Sequence, residues 1–423
     1  MKTAELTLAL VLALAACREV PQAPVVTPPP PPTSVTVALD TILGPYLDVS
    51  DQWGEPALFV GSDQSVHVIT MNNWNSLQRY HGCASQCDHP ALWFAATADT
   101  FTNDFGSGGW YTGAVLAADG FHAVRTVTVY GYYGPTILYE ACPGDCDIAA
   151  HWSVSYLFVG HGWMPGQPWL GGGQPLASDA SGALHLLFFD AGSFPAWQAT
   201  LAYARCTAAC GDSANWRETV LDSSRQVNED EPKLIAAAPD GGVHVFYAKG
   251  ATLIHASCAA GCAAPAWQSG AIPGIALPGG PGTFFGVYVR AVSLAFGPGG
   301  ALDLAYLDGL GGLAFATCAA PCTSPGSWST TSLPFVTSDV SLAADRAGTL
   351  YLATIDTAGP AVSRCAADCL APASWKTTPI SSAVRGYRSR GKVAVAVDSA
   401  GHVLVASTTG WGPEVLQYSR LLP

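Results

Sequence analysis

Cysteine is the residue type with the clearest chemical potential in this sequence. Twelve of the thirteen cysteines form six pairs, and three residues separate the two thiols of every pair. A tryptophan follows the second cysteine by five or six residues. The members are Cys83, Cys87 and Trp93; Cys142, Cys146 and Trp152; Cys206, Cys210 and Trp216; Cys258, Cys262 and Trp267; Cys318, Cys322 and Trp328; Cys365, Cys369 and Trp375. Six copies of one spacing indicate a structural repeat.

Two thiols four residues apart could form a disulfide, bind a metal or undergo redox exchange. A disulfide is the prediction for a secreted chain, and closing each small loop would contribute about 2 kcal/mol on the chain-entropy model. A structural zinc site needs four ligands, and the nearby His89, Asp88 and Asp147 have no counterparts in the other copies. Redox motifs more typically separate the thiols by two residues. We therefore predict six disulfides, no metal and no other cofactor.

Histidine recurs at one position of the repeat, near the start of a strand-like segment. The members are His67, His122, His185 and His244, and later copies have Asp303, Tyr351 and Leu404 instead. A metal would require ligands within about 2 Å of one ion, whereas equivalent positions of different repeats lie much farther apart. We interpret this position as half-buried and polar.

Four short strands, here called A to D, account for each repeat. Strand A precedes a D-x-x-G turn, in which Asp bonds its own backbone and Gly adopts a positive φ; the segment Asp398–Gly401 is one example. Strand B follows the turn, strand C ends at the first cysteine, and strand D follows the tryptophan. No segment shows sustained helical periodicity. Units of this kind predict an all-β fold, a β-propeller with four-stranded blades.

The two ends of the chain complete this count. Residues 392–420 contain strands A, B and C of a seventh unit that has no strand D, and residues 34–40 form a strand with no blade of its own. We predict a seven-bladed ring in which the N-terminal strand completes the last blade, since this leaves no open sheet edge. The predicted propeller spans residues 35–423.

Successive strands of a blade run in opposite directions. The A–B turns and the cysteine loops therefore lie on one face of the ring, and the B–C loops and D–A links lie on the other. The seven tryptophans outside the repeat all map to this second face: Trp53, Trp110, Trp163 and Trp169 in links, and Trp74, Trp197 and Trp411 in loops. Other aromatic residues in these loops are Tyr111, Phe194, Phe284, Phe285, Tyr288 and Tyr387, and the polar residues are Glu55, Glu231, Arg290, Asp339, Arg385, Arg388 and Arg390.

These residue types favour a binding face. Aromatic rings stack on sugars or anchor peptide side chains, while charged groups fix orientation; alternatively, the aromatic residues fill small cores within the loops themselves. The predicted binding face consists of Trp53, Glu55, Trp74, Trp110, Tyr111, Trp163, Trp169, Trp197, Glu231, Arg290, Tyr387, Arg388 and Trp411.

The N-terminus has the features of a secretory signal. Lys2 precedes the apolar segment Leu6–Leu14, which is too short to span a bilayer of about 30 Å. The sequence Leu14–Cys17 resembles a bacterial lipobox. This resemblance implies that residues 1–16 are a signal peptide and that Cys17 is lipidated; an ordinary signal peptide with an incidental cysteine is the alternative. Arg18, in place of Asp, implies the outer membrane.

A proline-rich tether follows in residues 17–34, including the run Pro28–Pro32. Such a segment favours polyproline II and acts as a spacer between a membrane and a domain. The thirteenth cysteine is then the anchor itself, which explains the odd number. No later segment has 18 uninterrupted apolar residues.

Composition excludes several classes of protein. The formal net charge is −13 without a Lys/Arg stripe, so we expect no nucleic-acid partner. The 49% apolar content excludes a disordered chain, and the scarcity of lysine excludes a long coiled coil. We expect a monomer.

Catalytic motifs are weak or absent. The chain contains no G-x-S-x-G, H-E-x-x-H or Walker motif. Its D-x-x-G turns resemble the Asp boxes of sialidases, although no copy keeps the full S-x-D-x-G-x-x-W pattern, and this resemblance implies structural turns. No spacing identifies the arginine triad of sialidases. A carboxylate pair could be drawn from Glu55, Glu231 and Asp339, but nothing selects it.

Taken together, the lipobox, tether and repeat resemble bacterial lipoproteins with sialidase-like β-propeller repeats. The resemblance covers the mature chain and implies a fold and a location in the cell envelope, but no activity. Our first hypothesis is a membrane-anchored, non-catalytic propeller that binds a glycan or envelope protein through its aromatic loops. The second is a secreted sialidase-like glycoside hydrolase or lyase. The third is a structural or assembly role in the envelope.

Overall fold

The computed structural model describes most of the chain from residue 34 onward. The described residues are 34–41, 56–72, 77–100, 110–129, 134–157, 167–170, 173–191, 199–224, 233–259, 262, 267–276, 292–307, 312–319, 322, 327–356, 358–380, 391–408 and 415–421. These residues form strands, turns and short 3-10 segments, without an α-helix. Among them no helix has the length and apolarity needed to cross a membrane.

Seven antiparallel sheets form the blades of a β-propeller, which confirms the predicted fold class. Blade 1 contains β2 (Ala57–Val60), β3 (Val66–Asn72), β4 (Leu77–Cys83) and β5 (Phe94–Thr100). Blade 2 contains β6 (Trp110–Ala117), β7 (Gly120–Val129), β8 (Gly134–Cys142) and β9 (Ser153–Tyr156). Blade 3 contains β10 (Gln167–Trp169), β12 (Leu176–Ser178), β13 (Leu184–Ala191), β14 (Ala199–Cys206) and β15 (Arg217–Asp222).

The remaining blades follow the same order from inner to outer strand. Blade 4 contains β11 (Gly173–Gln174), β16 (Lys233–Ala237), β17 (Val243–Lys249), β18 (Thr252–Cys258) and β19 (Gln268–Ala276). Blade 5 contains β20 (Val292–Phe296), β21 (Leu302–Leu307), β22 (Gly312–Cys318) and β23 (Trp328–Val336). Blade 6 contains β24 (Asp339–Ala344), β25 (Leu350–Asp356), β26 (Gly359–Cys365) and β27 (Lys376–Pro379).

Blade 7 is built from both ends of the chain. It contains β28 (Val393–Val397), β29 (Val403–Thr408), β30 (Val415–Leu421) and, as its outer strand, β1 (Ser34–Thr41). Antiparallel pairing runs from Ser34 opposite Leu421 to Thr41 opposite Val415. The predicted closure of the ring by the N-terminal strand is therefore confirmed.

Burial explains the strand sequences. The middle strands of a blade face neighbouring blades on both sides, so β17, β21 and β25 are buried along nearly their whole length. An outer strand pairs with only one other strand of its sheet, and every residue of β15 is exposed or half-buried. The middle strands consequently have near-continuous apolar sequences, whereas polar residues enter the outer ones.

All six cysteine pairs form disulfides, with Cα–Cα distances of 5.6 to 5.8 Å. In four loops the residue before the second cysteine has a positive φ: Gln86, Asp145, Ala209 and Asp368. In the same four loops a single 3-10 turn leads to the repeat tryptophan: Pro90–Leu92, Ala149–His151, Ser213–Asn215 and Pro372–Ser374. A fifth 3-10 segment, Pro298–Gly300, lies between β20 and β21.

Each repeat tryptophan packs against an aromatic ring of the preceding blade. Its partner lies three residues before the position of the first cysteine. Ring centroids are 4.9 to 6.3 Å apart. The pairs are Tyr80–Trp152, Tyr139–Trp216, Tyr203–Trp267, His255–Trp328, Phe315–Trp375 and Tyr418–Trp93. The last pair joins blade 7 to blade 1 across the closure.

The seam between blades 6 and 7 is held differently. Blade 7 has no cysteine loop and no repeat tryptophan because its outer strand is β1, and Val362 occupies the aromatic position of blade 6. At the inner strands, Val393 N donates to Asp339 Oδ2 (2.8 Å) and Val395 N donates to Ser341 Oγ (3.1 Å). Inner hydrogen bonds thus join the two blades whose outer aromatic contact is missing.

The inner strand of blade 3 changes partners along its length, which the sequence analysis did not predict. β10 and β12 pair antiparallel with β13, but β11, which lies between them in the chain, pairs parallel with β16 of blade 4. Gly173 has φ +108, and a Cβ there would collide with the backbone of Lys233. Glycine is therefore required where the strand crosses to the next blade.

Candidate binding face

The two faces of the ring differ in what their side chains contact. The disulfide face carries the A–B turns and the cysteine loops, and the loop face carries the B–C loops and the D–A links. Most described side chains near the disulfide face have identifiable structural partners. In four blades the repeat tryptophan Nε1–H donates to the carbonyl of the second cysteine, at 2.8 to 3.0 Å.

The repeated histidines take part in hydrogen-bonded chains. Their interpretation as half-buried polar positions is confirmed for His67 and His244, whereas His122 and His185 are buried. In blade 3, His185 Nε2 lies 3.1 Å from Asp179 Oδ2, and His185 Nδ1 lies 2.7 Å from the Tyr203 hydroxyl. An ionised carboxylate only accepts, so Nε2 donates to Asp179 and the tyrosine hydroxyl donates to Nδ1. Blade 2 has the same chain of Asp119, His122 and Tyr139. Each histidine bridges the A–B turn to strand C.

Blade 1 inserts a serine into this chain. Ser65 Oγ lies 2.5 Å from Asp63 Oδ1 and 2.6 Å from His67 Nε2, while His67 Nδ1 contacts the Tyr80 hydroxyl. A serine beside a neutral histidine can act as a nucleophile, but Ser65 is buried and its hydroxyl is engaged in linking Asp63 to His67. The correspondence with blades 2 and 3 identifies this group as a structural chain.

Blade 4 replaces the tyrosine with a second histidine. His244 Nδ1 lies 3.0 Å from His255 Nε2, and the His255 ring stacks on Phe246. Desolvation, together with the neighbouring His244, lowers the pKa of His255 to about 3, and desolvation also lowers the pKa of His244. Both rings are therefore neutral at neutral pH, and acid would place a charge between buried aromatic groups.

His255→Tyr should reduce the sensitivity of the protein's stability to acid. The unfolded histidine binds a proton near pH 6.5, whereas the folded one binds it near 3, so stability is full above about pH 6.5 and falls as the pH decreases toward 3. This loss is about 1.4 kcal/mol per pH unit for one such group. A tyrosine hydroxyl would replace the present His255 bond to His244 Nδ1, as in blades 1 to 3, so we expect little change in stability at pH 7.

Urea unfolding at pH 7 and pH 5 measures this effect. The variant should have the higher midpoint at pH 5 and the smaller difference between the two pH values. His255→Phe is the matched control, since it also removes the titrating group but loses the bond to His244 Nδ1, so it should gain acid resistance and lose about 1 kcal/mol at pH 7. Equal pH dependence of wild type and variant would contradict the assignment of His255.

The later blades vary the same position. In blade 5 the turn has Gly297 in place of the aspartate, and the carboxylate comes instead from Asp303 on the opposite strand. Burial raises the pKa of Asp303. In blade 6 the Tyr351 hydroxyl donates to Asp345 Oδ2 (3.3 Å). The turn and strand B remain linked although the residue types differ.

In blade 7 the side chains near the equivalent A–B turn contact blade 1. Asp398 Oδ2 lies 2.7 Å from His402 Nδ1, and Arg420 forms an ion pair with Asp88 of the first cysteine loop (3.3 Å). In the described part of the chain no three His, Cys, Asp or Glu side chains form a group that could hold a metal ion.

Most residues of the predicted binding face lie outside the described residues: Trp53, Glu55, Trp74, Trp163, Trp197, Glu231, Arg290, Tyr387, Arg388 and Trp411. The same is true of Phe194, Phe284, Phe285, Tyr288, Arg385 and Arg390. The backbone of three members is described. Trp110 and Tyr111 begin β6, and Trp169 ends β10 opposite Phe189. All three positions belong to the loop-face ends of their blades.

Asp339 does not belong to an exposed face. Its side chain is fully buried at the seam of blades 6 and 7, where one oxygen accepts the Val393 N–H. This carboxylate therefore joins blades 6 and 7, and it is unsuited to a catalytic pair open to substrate. Two further charged residues near the loop face are also buried, Lys233 and Lys392, and the Lys233 ammonium lies 3.5 Å from the centre of the Phe189 ring.

An axial cavity of about 100 Å³ opens between the inner strands. Its walls come from blades 1, 2, 5, 6 and 7 and from β11, and small residues such as Gly113, Ser293 and Ala394 contribute to them. None of the described residues that line it is charged. The described wall of this cavity therefore offers no charged group to a ligand.

No protein-family model and no curated protein matches this sequence. Solved structures match through their fold. The polysaccharide lyase Uly1 is 9% identical with a TM-score of 0.51, over 86% of this chain and 89% of that one. The NanB sialidase of Streptococcus pneumoniae is 11% identical with a TM-score of 0.48, over 88% and 68%. The Aleuria aurantia lectin is 10% identical with a TM-score of 0.43, over 77% and 94%. The match with Uly1 supports the β-propeller fold.

Proposed function

We propose that the protein is a membrane-anchored, non-catalytic propeller that binds a glycan on its loop face. One observation carries this proposal, the division of the thirteen tryptophans. Six pack between blades at the disulfide-face side, where their role is structural. The other seven fall at or between strand ends of the loop face.

Glycan chemistry suits such a surface because the flat C–H faces of sugars stack on indole rings, while charged groups fix hydroxyl orientation. The anchor is the lipidated Cys17, followed by the proline-rich tether, and the location is the outer membrane. Arg290 and Arg388 belong to two other links of the predicted loop face, before blades 5 and 7. Catalysis has less support, since Asp339 is buried within a seam.

Binding of the full chain to an array of polysaccharides and oligosaccharides tests the proposal. Trp110→Ala, Trp169→Ala and Trp197→Ala should each weaken binding by about tenfold or more, as expected for a stacked aromatic contact of about 1–3 kcal/mol. Leu92→Ala is the matched control, because Leu92 is an exposed apolar residue of the disulfide face and should leave binding unchanged.

Two other results would favour the alternatives. Release of cleaved sugar, abolished by Glu55→Gln or Glu231→Gln, would establish a glycoside hydrolase or lyase. If no glycan binds and envelope proteins copurify through the loop face, a protein-binding or assembly role replaces the present proposal. Labelling with a radioactive fatty acid in wild type and Cys17→Ser tests the anchor separately.

A further inference from the structure

The outer strand of every blade has a free edge, where unpaired backbone groups could pair with a strand of another chain. Six of the seven outer strands contain a proline or a charged residue, and both hinder such pairing. They are β1 with Asp40, β5 with Asp99, β15 with Arg217, Glu218 and Asp222, β19 with Pro273, β23 with Pro334, and β27 with Lys376 and Pro379. The seventh, β9 of blade 2, contains neither.

β9 also exposes apolar side chains. Val154 is 41% exposed and Tyr156 is 48% exposed. The two residues are separated by one position, so their side chains lie on the same side of the strand. An edge strand that has an apolar surface and neither proline nor charge is suited to contact with another strand.

The free backbone groups of β9 belong to the same two residues. Leu157 N donates to the Ile137 carbonyl (2.8 Å), and the register of β8 and β9 continues from this pair without a shift. Hydrogen-bonded pairs alternate along an antiparallel ladder, so Ser155 also bonds to β8. The N–H and C=O groups of Val154 and Tyr156 consequently point away from β8, toward the free edge.

This strand is complementary to a second copy of itself. If two copies pair antiparallel with Ser155 opposite Ser155, each Val154 lies opposite Tyr156 of the partner subunit. The outward-facing groups of both copies then form four N–H···O bonds, whereas a shift by one residue would oppose outward-facing and inward-facing groups. The valine and tyrosine side chains meet on one face, which is a favourable cross-strand pair.

We propose that β9 is a dimer interface, at which two copies of the chain join their blade 2 sheets into one antiparallel sheet. This dimer takes the place of the monomer expected from the sequence. The pairing is symmetric and uses the one unprotected edge of each chain, so association ends at two copies. β9 leads from the disulfide face to the loop face. Antiparallel pairing therefore directs the two loop faces in opposite directions, whatever ligand they bind.

Sedimentation equilibrium tests the interface with the mature chain, residues 17–423, in which Cys17→Ser omits the predicted lipid. We expect wild type to shift from the mass of one chain toward that of two between about 1 and about 100 µM, the range of a small interface. Val154→Lys should weaken the dimer about tenfold or more, because it places a charge in the apolar pair. Val220→Lys is the matched control, since Val220 is an exposed valine of the outer strand β15 and should leave the dimer unchanged.

A second variant tests the register. Tyr156→Glu alone should also weaken the dimer, because its carboxylate lies opposite Val154 of the partner subunit. An equal mixture of the Val154→Lys and Tyr156→Glu chains should form a mixed dimer, in which one lysine faces one glutamate and one native pair remains. Recovery of association in the mixture also shows that both variants are folded.

Three results would overturn the proposal. They are a wild-type chain that stays monomeric at about 100 µM, a dimer that Val154→Lys does not weaken, and growth beyond two copies. A mixture of the two variants that does not associate overturns the register. Capture of a different protein by β9, without self-association, would also overturn self-pairing and assign the edge to that partner.

Discussion

Deletion of β1 should open the ring and remove most of the stability of the protein. β1 covers the free edge of β30 along seven paired positions, and it buries Val37 in the core shared by blades 7 and 1. Loss of these bonds and of this buried surface should cost on the order of 5 kcal/mol, which is comparable with the whole stability of a typical domain. The exposed edge of β30 should also promote association between chains.

Urea unfolding and light scattering measure both effects. A chain without residues 34–41 should have a lower unfolding midpoint and associate more than wild type, and a synthetic peptide of residues 33–42 should reverse this association. Val37→Ala is a milder variant with an expected loss of about 2 kcal/mol. Thr36→Ala is its control, since it removes a hydroxyl that bonds Ser419 and should cost about 1 kcal/mol. An unchanged midpoint after deletion of β1 would contradict closure by this strand.

Breaking the buried ion pair of blade 2 should have the next largest effect. Arg125 Nε lies 2.9 Å from Glu140 Oε1, and both side chains are fully buried between the sheets of blades 1 and 2. Arg125→Met leaves a carboxylate in an apolar interior, so we expect a loss of about 3–5 kcal/mol. Glu140→Leu should lower the stability by a similar amount, because it leaves the buried Arg125 guanidinium without this carboxylate.

The double variant distinguishes charge pairing from packing. Arg125→Met combined with Glu140→Leu removes both charges and keeps similar volume, so its stability should return to within about 1 kcal/mol of wild type. Lys249→Met is the control, because Lys249 pairs with Asp222 at a partly exposed site and should cost less than about 1 kcal/mol. If the double variant is as unstable as the sum of the singles, the pair does not act as a unit.

The repeat made most of the fold predictable. Six copies of the cysteine spacing define strands C and D, the D-x-x-G turns define strands A and B, and the unmatched strands at the two ends have only each other as partners. The number of blades and the closure by β1 follow from counting these strands. The position of the histidines was also predictable, since it recurs within the unit.

What could not be predicted depends on contacts that do not recur with the repeat. The ion pair of Arg125 and Glu140 occurs within blade 2 and has no motif to mark it, and the exchange of β11 onto β16 depends on a close approach that only Gly173 permits. The aromatic partner of each tryptophan did leave a signal. The third residue before the first cysteine is aromatic in each of the blades that precede a repeat tryptophan, and is Val362 in blade 6. That exception identifies blade 7 as the blade that lacks a repeat tryptophan.

The direction of β1 has a mechanical consequence. Ser34 lies opposite Leu421 at the disulfide face, and Thr41 lies opposite Val415 at the loop face. A pull on the chain at residue 33, against resistance from a ligand on the loop face, acts along the axis of β1. The force then loads the hydrogen bonds between β1 and β30 in shear, so that they must break together and not one pair at a time. This orientation of the N-terminal strand therefore favours resistance of the closed ring to a pulling force.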